Sequence, residues 1–148
     1  MKKFDIALDV DVVLAPCLEQ GCQALGIDPQ RITDWDLGKT DLSEEEVAAL
    51  MTIICSPEFV KSQTLYPGAV EMAQGLVNDG HRVIIATAVG VECMANRTEM
   101  LLHHFPMLSG RNIMMGSWKE LLRVDFLLDD NPYWMITRTI WGRRSTSY

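Results

Sequence analysis

The sequence predicts an α/β fold, a three-layer Rossmann-like parallel sheet with a small, mostly helical insertion after the first strand. Three observations carry this. Apolar stretches end abruptly on polar groups at Leu8-Asp9-Val10-Asp11, Ala86-Thr87 and Leu128-Asp129-Asp130, as buried strands do when their carboxyl ends open into a ligand crevice. Stretches with helical spacing alternate with them, the order that gives parallel strands and right-handed crossovers. The chain has 148 residues, enough for one domain that buries about two-thirds of its unfolded surface without metal or disulfide staples.

The elements follow in order. Lys2 to Leu8 is the first strand, apolar at Phe4, Ile6, Ala7 and Leu8, as a strand covered on both faces requires. A short helix begins near Pro16, with Leu18, Cys22 and Leu25 on one stripe and Gly26 as its C-terminal cap. Residues 27–42 are rich in Asp, Pro, Gly and Thr and read as loop. Ser43-Glu44-Glu45-Glu46 is a capping box for a helix through Ile54, which Ser56-Pro57 breaks. Pro67-Gly68 opens the next helix, with Val70, Ala73, Leu76 and Val77 facing a core before Asn78-Asp79-Gly80. His81 to Thr87 is the clearest strand, β-branched and continuous. A helix from about Val91 to His104 ends at Phe105-Pro106, and Asn112 to Met115 is a third strand. Ser117-Trp118-Lys119-Glu120 reads as a second capping box, with Lys119 in the first turn of a short helix. Asp125 to Leu128 is the fourth strand, and Ile136 to Trp141 is the one candidate for a further strand.

Composition excludes several classes. No apolar run approaches the roughly 20 residues of a membrane span, and Asp5, Asp9 and Asp11 interrupt any secretory apolar segment. The net charge of -7 disfavours a nucleic-acid polymer as partner. Arg138, Arg143 and Arg144 read as a solvated end. Cys17, Cys22, Cys55 and Cys93 lack CxxC spacing, which argues against zinc and a disulfide framework and for a reduced, cytoplasmic setting. Oligomeric state is left open, a homodimer included.

The predicted strand ends bring Asp9, Asp11, Thr87, Lys119, Asp129 and Asp130 to one edge of the sheet. Two carboxylates two residues apart repel unless a cation or a shared proton offsets them. Oxygen ligands for a hard cation, beside a hydroxyl and an ammonium, make a site for Mg²⁺ and a phosphoryl group. Thr87 taken alone is an ordinary strand-end residue and Lys119 a solvated lysine; their place among the acids gives them a role. Asp125 can cap its strand or face solvent. His103 and His104 suit a helix end.

These motifs, Asp9-Val10-Asp11-Val12-Val13, Ile84-Ile85-Ala86-Thr87, Lys119 and Asp125 to Asp130, resemble in order the four motifs of the haloacid dehalogenase (HAD) superfamily of phosphohydrolases. The chain looks most like the 5'(3')-deoxyribonucleotidase branch, through Ile32 to Leu37, Leu65 to Ala69 and Leu101 to Pro106. The resemblance implies a Mg²⁺-dependent phosphomonoesterase acting on nucleoside, in particular deoxyribonucleoside, monophosphates through an aspartyl-phosphate. It makes Asp9 the nucleophile and Asp11 the general acid and base, gives the phosphate to Thr87, Ala88 and Lys119, and places Mg²⁺ among Asp9, the Asp11 backbone carbonyl, Asp129 and Asp130. Residues 15–66 match the position of the family's helical cap on a HAD-like core of residues 1–14 and 67–148. On that cap Trp35 and Phe59 are candidates for stacking on a base. Two departures stand out: Val12 where many relatives have glycine, and Trp118 where an acid often precedes the lysine.

Three other readings fit less of the chain. A receiver-type signalling domain would place its acceptor Asp on a middle strand, before the Thr and Lys, without an insertion after the first strand. A HAD-type phosphatase for another small phosphorylated metabolite shares every motif. A non-catalytic phosphate-binding relative is the reading that Val12 favours.

Overall fold

The computed structural model describes residues 2–34 and 36–131. The candidate strand from Ile136, the arginines near the C-terminus and Trp35 lie outside the described residues. Four parallel strands, β1 (Asp5–Leu8), β2 (Arg82–Thr87), β3 (Ile113–Met115) and β4 (Phe126–Leu128), form one sheet in the order β3-β2-β1-β4. This is the α/β fold that the alternating pattern predicts, with the Asp9 strand flanked by the strands that end at Thr87 and Asp129.

Register follows the pattern of burial. Ile6, Ala7 and Leu8 sit opposite Val83, Ile84 and Ile85 on one side and Phe126, Leu127 and Leu128 on the other. Ile6, Leu8, Val83 and Ile85 share one core with Ala69 and Ala73 of helix α4 (Ala69–Asn78) and with Met100 and Leu101 of helix α5 (Met94–His104). At the amino edge Asp125 caps β4: its N–H donates to the Asp5 carbonyl at 2.8 Å and its Oδ2 accepts from the Asp5 N–H at 2.8 Å. Asp125 is thus at the opposite edge from the acids.

Between β1 and α4 lie α1 (Cys17–Leu25), α2 (Glu44–Ile54) and α3 (Pro57–Ser62). Gly26, at φ 69°, caps α1, and Ser43 with Glu46 closes the capping box of α2. Helices α1 and α2 approach closely at Gly21, where an added Cβ would lie 2.6 Å from Ile54 Cγ2 and 2.7 Å from Leu50 Cδ1. The described residues of 27–42 are loop apart from 3₁₀ turns at Pro29–Arg31 and Leu37–Lys39. Helix α3 corrects the reading of Ser56-Pro57 as a simple break. Proline is tolerated in the first turn of a helix, where its missing N–H costs nothing, and Ser56 Oγ accepts the Phe59 N–H. The same dipeptide therefore ends α2 and starts α3. This segment leaves and rejoins the sheet side by side, the Tyr66 N–H donating to the Leu14 carbonyl at 2.8 Å. No described helix is long and apolar enough to cross a membrane.

The turn after β1 is tight. The Val10 carbonyl accepts from the N–H groups of Leu14 and Ala15, both at 2.8 Å, and the Val12 N–H donates to the Ala15 carbonyl at 2.8 Å. These bonds hold Val12 at φ 66°, the only positive φ of a non-glycine residue among the described residues. A β-branched residue there costs about 1–2 kcal/mol, and glycine would return about 0.5–1 kcal/mol of that as added freedom of the unfolded chain. Val12→Gly is therefore expected to leave stability unchanged or raise it by up to about 1 kcal/mol. Urea unfolding of both proteins checks this, and a marked loss of stability would show that Val12 packing outweighs its strain.

Candidate active site

The connections run from β1 to β2 to β3 on one side of the sheet, and β4 returns to the other side of β1. Strand order thus reverses beside β1, where parallel sheets open a crevice at their carboxyl ends. Asp9 stands at that point, its N–H donating to the Leu128 carbonyl at 2.9 Å, so the seam between β1 and β4 carries Asp9 directly into register with Asp129 and Asp130.

Asp9 is buried, and its Oδ1 accepts the Val10 N–H at 2.7 Å. Buried Lys119 lies between two acids, its Nζ 2.6 Å from Asp9 Oδ2 and 2.8 Å from Asp129 Oδ2. Carboxylate oxygens of Asp9, Asp129 and Asp130 lie within 4.8 Å of one another. Burial pushes the Asp9 carboxyl up to about 6, against the pull of Lys119. Burial, then the charge of Asp129, also raises Asp130. Three carboxylates with no nitrogen or sulfur donor suit a hard divalent cation.

Lys119 reaches this position from a 3₁₀ turn, Lys119–Leu121, with Trp118 as its uncapped leading residue. The capping box expected at Ser117 to Glu120 is absent: Ser117 stands one residue before the leading position, which Trp118 fills without a side-chain acceptor. Trp118 is exposed, as is Leu121.

The Asp11 carboxyl is not one of this group of three and has partners of its own. Arg97 Nη2 donates to Asp11 Oδ1 at 3.0 Å and Oδ2 at 2.9 Å, and Gln63 Nε2 donates to Oδ1 at 3.1 Å. Both partners are buried, Arg97 on α5 and Gln63 just after α3. Neither follows from the motifs. The available signal for Arg97 was its place on the apolar stripe of α5, one turn before Met100 and Leu101, where a charge is out of pattern. Gln63 gives no comparable signal.

Thr87 ends β2 fully buried, and its Oγ1 has no hydrogen-bond partner. An unmet buried hydroxyl is costly, so Thr87 Oγ1 is a donor in need of an acceptor. Its carbonyl takes the Gly116 N–H at 2.9 Å, which ties β2 to the segment leading to Lys119. Ala88 follows, and with Asp11, Arg97, Cys17, Cys55 and Cys93 it lines a cavity of about 120 Å³. A wider opening of about 520 Å³ runs between Asp11, Val12 and Asp130 on one side and Ile32, Thr33, Leu37, Met51 and Ile54 on the other. Phe59, half-buried on α3, lines neither space.

Comparison with known proteins fits this geometry. The family model described as 5' nucleotidase, deoxy (pyrimidine), cytosolic type C protein matches residues 6–140. A Staphylococcus epidermidis protein named "Putative 5'(3')-deoxyribonucleotidase" is 30% identical over 140 residues, spanning 89% of this chain and 76% of its own length. A Staphylococcus aureus protein of the same name is 27% identical over 139 residues, with the same 89% and 76% coverage.

The raised Asp9 carboxyl makes a pH prediction. In the metal-free protein Asp9 takes up its proton near 6, above its ordinary value of 3.8. The folded state then binds more protons than the unfolded one, so this contribution is present at low pH and is lost as pH rises through about 6. In EDTA the melting temperature of wild type should fall between pH 5 and pH 7 by several degrees more than that of Asp9→Asn, which has no proton to lose. Parallel pH profiles for the two proteins would contradict the assignment.

Proposed function

The chain belongs to the family of HAD-like 5'-nucleotidases, hydrolases of phosphoric monoesters, and on that footing we propose a Mg²⁺-dependent phosphomonoesterase for nucleoside monophosphates, deoxyribonucleotides above all. The observation that carries the reading is the buried Asp9 at the switch point, flanked by Lys119 and facing Asp129 and Asp130 across the seam. Nothing in this arrangement serves stability alone, since buried like charges oppose folding.

The donor set fits Mg²⁺. Asp9, Asp129, Asp130 and the Asp11 main chain would hold it, and once bound it offsets the charge of the acids and of the phosphate oxygens. The residues of the chain do the rest. The Asp9 carboxylate attacks phosphorus, forming an aspartyl-phosphate as the bond to the leaving oxygen breaks, and Asp11 gives that oxygen its proton. Asp11 then takes a proton from water, which attacks phosphorus and releases Asp9 and inorganic phosphate. Lys119 offsets charge on the phosphoryl oxygens, the unmet Thr87 hydroxyl donates to one of them, and Ala88 borders the same group. Val12, in the conformation a glycine would take, keeps the turn that delivers Asp11.

We take residues 15–66 as the cap and the wide opening beneath it as the path of the nucleoside. Trp35 is the proposed stacking residue for the base. Phe59, half-buried and lining neither space, is the weaker of the two candidates, because a ring must face the ligand to stack on it.

A panel of phosphate monoesters with and without Mg²⁺ tests the proposal. Turnover is expected only with the metal, fastest on deoxynucleoside monophosphates and slower on sugar phosphates, and Asp9→Asn should lower kcat by at least about a thousandfold while leaving the fold intact. Equal rates on nucleotides and sugar phosphates, or an active Asp9→Asn protein, would reject it. Trp35→Ala should raise KM for nucleotides about tenfold, since stacking contributes about 1–3 kcal/mol per base, without a matching change on p-nitrophenyl phosphate. A similar change on both esters would remove Trp35 from the base site.

A further inference from the structure

Arg97 is among the largest fully buried side chains of the protein, and it stands mid-helix on α5 beside Met100 and Leu101 of the core. Burying an arginine opposes folding unless a counter-charge and hydrogen bonds offset the loss of hydration. Here the compensation is partial. Nη2 contacts both carboxylate oxygens of Asp11, whereas Nε and Nη1 are buried without any hydrogen-bond partner. A core selected for stability would hold leucine or methionine at this position.

What Arg97 touches gives the reason for its charge. Asp11 receives three donor contacts, two from Arg97 and one from Gln63, and its side chain still keeps 31% of its surface exposed. Gln63 is itself fixed: its main-chain carbonyl lies 3.3 Å from Nε2 of His104, the last residue of α5. Its other side-chain atom, Oε1, is buried and unpartnered, so Gln63, like Arg97, gives up hydrogen bonds of its own while holding Asp11. Asp9 uses none of these groups, being held by Val10 and Lys119. The two acids of one short motif are thus oriented by separate sets of donors.

We infer that Arg97, assisted by Gln63, is a positioning residue that fixes the Asp11 carboxyl for proton transfer to the leaving oxygen. The inference rests on the proposed function, in which Asp11 is the acid, and adds the residues that aim it. Neither one reaches the reacting atoms; each acts through Asp11. Misplacing a proton donor by about 1 Å can cost about a hundredfold in rate, and the cost depends on how much the leaving group needs the proton. An alkoxide leaving from a nucleotide needs it. A nitrophenolate, stable as an anion, does not.

The experiment compares wild type, Arg97→Met, Arg97→Lys and Gln63→Leu on a deoxynucleoside monophosphate and on p-nitrophenyl phosphate, both with Mg²⁺. Arg97→Met should lower kcat/KM, which reports the steps through expulsion of the leaving group and not the later hydrolysis, about 10- to 100-fold on the nucleotide and less than about threefold on the nitrophenyl ester. Arg97→Lys, which keeps one charged donor, should recover part of the loss. Gln63→Leu should repeat the pattern at smaller amplitude, and it decides the matter where Arg97→Met does not fold. Equal losses of kcat/KM on the two esters, or no loss on either, overturn the inference while leaving the phosphatase reading in place. A wild-type protein that cleaves neither ester overturns both.

Discussion

Mutual repulsion among the acids at the seam of β1 and β4 is the constraint from which the rest of the site follows. Asp9, Asp129 and Asp130 are drawn together because parallel pairing puts the ends of the two strands in register. Two of the three carboxylate side chains are almost fully buried, Asp9 at 8% and Asp129 at 2% exposure. A protein can hold them there by supplying positive charge or by keeping a carboxyl protonated, and Lys119 supplies one unit of charge between two of them. One ammonium among three carboxylates leaves an excess of negative charge; burial raises the Asp9 and Asp130 carboxyls, and the charge of Asp129 adds a smaller push to each. The site is thus in tension with folding when empty of cations, and relief of that tension is available to a bound metal as binding energy.

The parts that could be read from the sequence were those with a local signature. A β-branched run ending on Thr87, an apolar run ending on Asp9 and another ending on Asp129 each announce a strand end, and parallel order follows once helices are seen between them. The capping box at Ser43 is legible for the same reason, since both partners lie within four residues. Where two local rules compete, reading fails: Ser56-Pro57 is at once a helix breaker and a helix start. The Ser117 pattern misleads in the other direction, because the turn begins one residue later than the pattern implies and Trp118, not Ser117, leads it.

The less legible part of the site is the part built from distance. Asp11 and Arg97 are 86 residues apart, and Asp11 and Gln63 are 52 apart. Their pairing is decided by how α3 and α5 lie on one another, which no window of sequence contains. Arg97 nonetheless left a trace, because a charge on an apolar stripe violates periodicity and such violations gather at functional sites. Gln63 left none, being a polar residue in a short connection like many others.

The contact between Leu14 and Tyr66 has a consequence for how such a chain can change over generations. Because the intervening fifty or so residues depart from and return to nearly one point, segments of different length or shape could be exchanged there without disturbing any strand. With the segment read as a cap, as proposed above, substrate preference can drift by this route while the reaction is inherited unchanged. The freedom is bounded where the segment meets α5 and Asp11. Lys61 pairs with Glu99, the Cys55 carbonyl accepts from Cys93 Sγ, and Gln63 contacts Asp11, so any replacement must rebuild that seam and bring its own donor to Asp11.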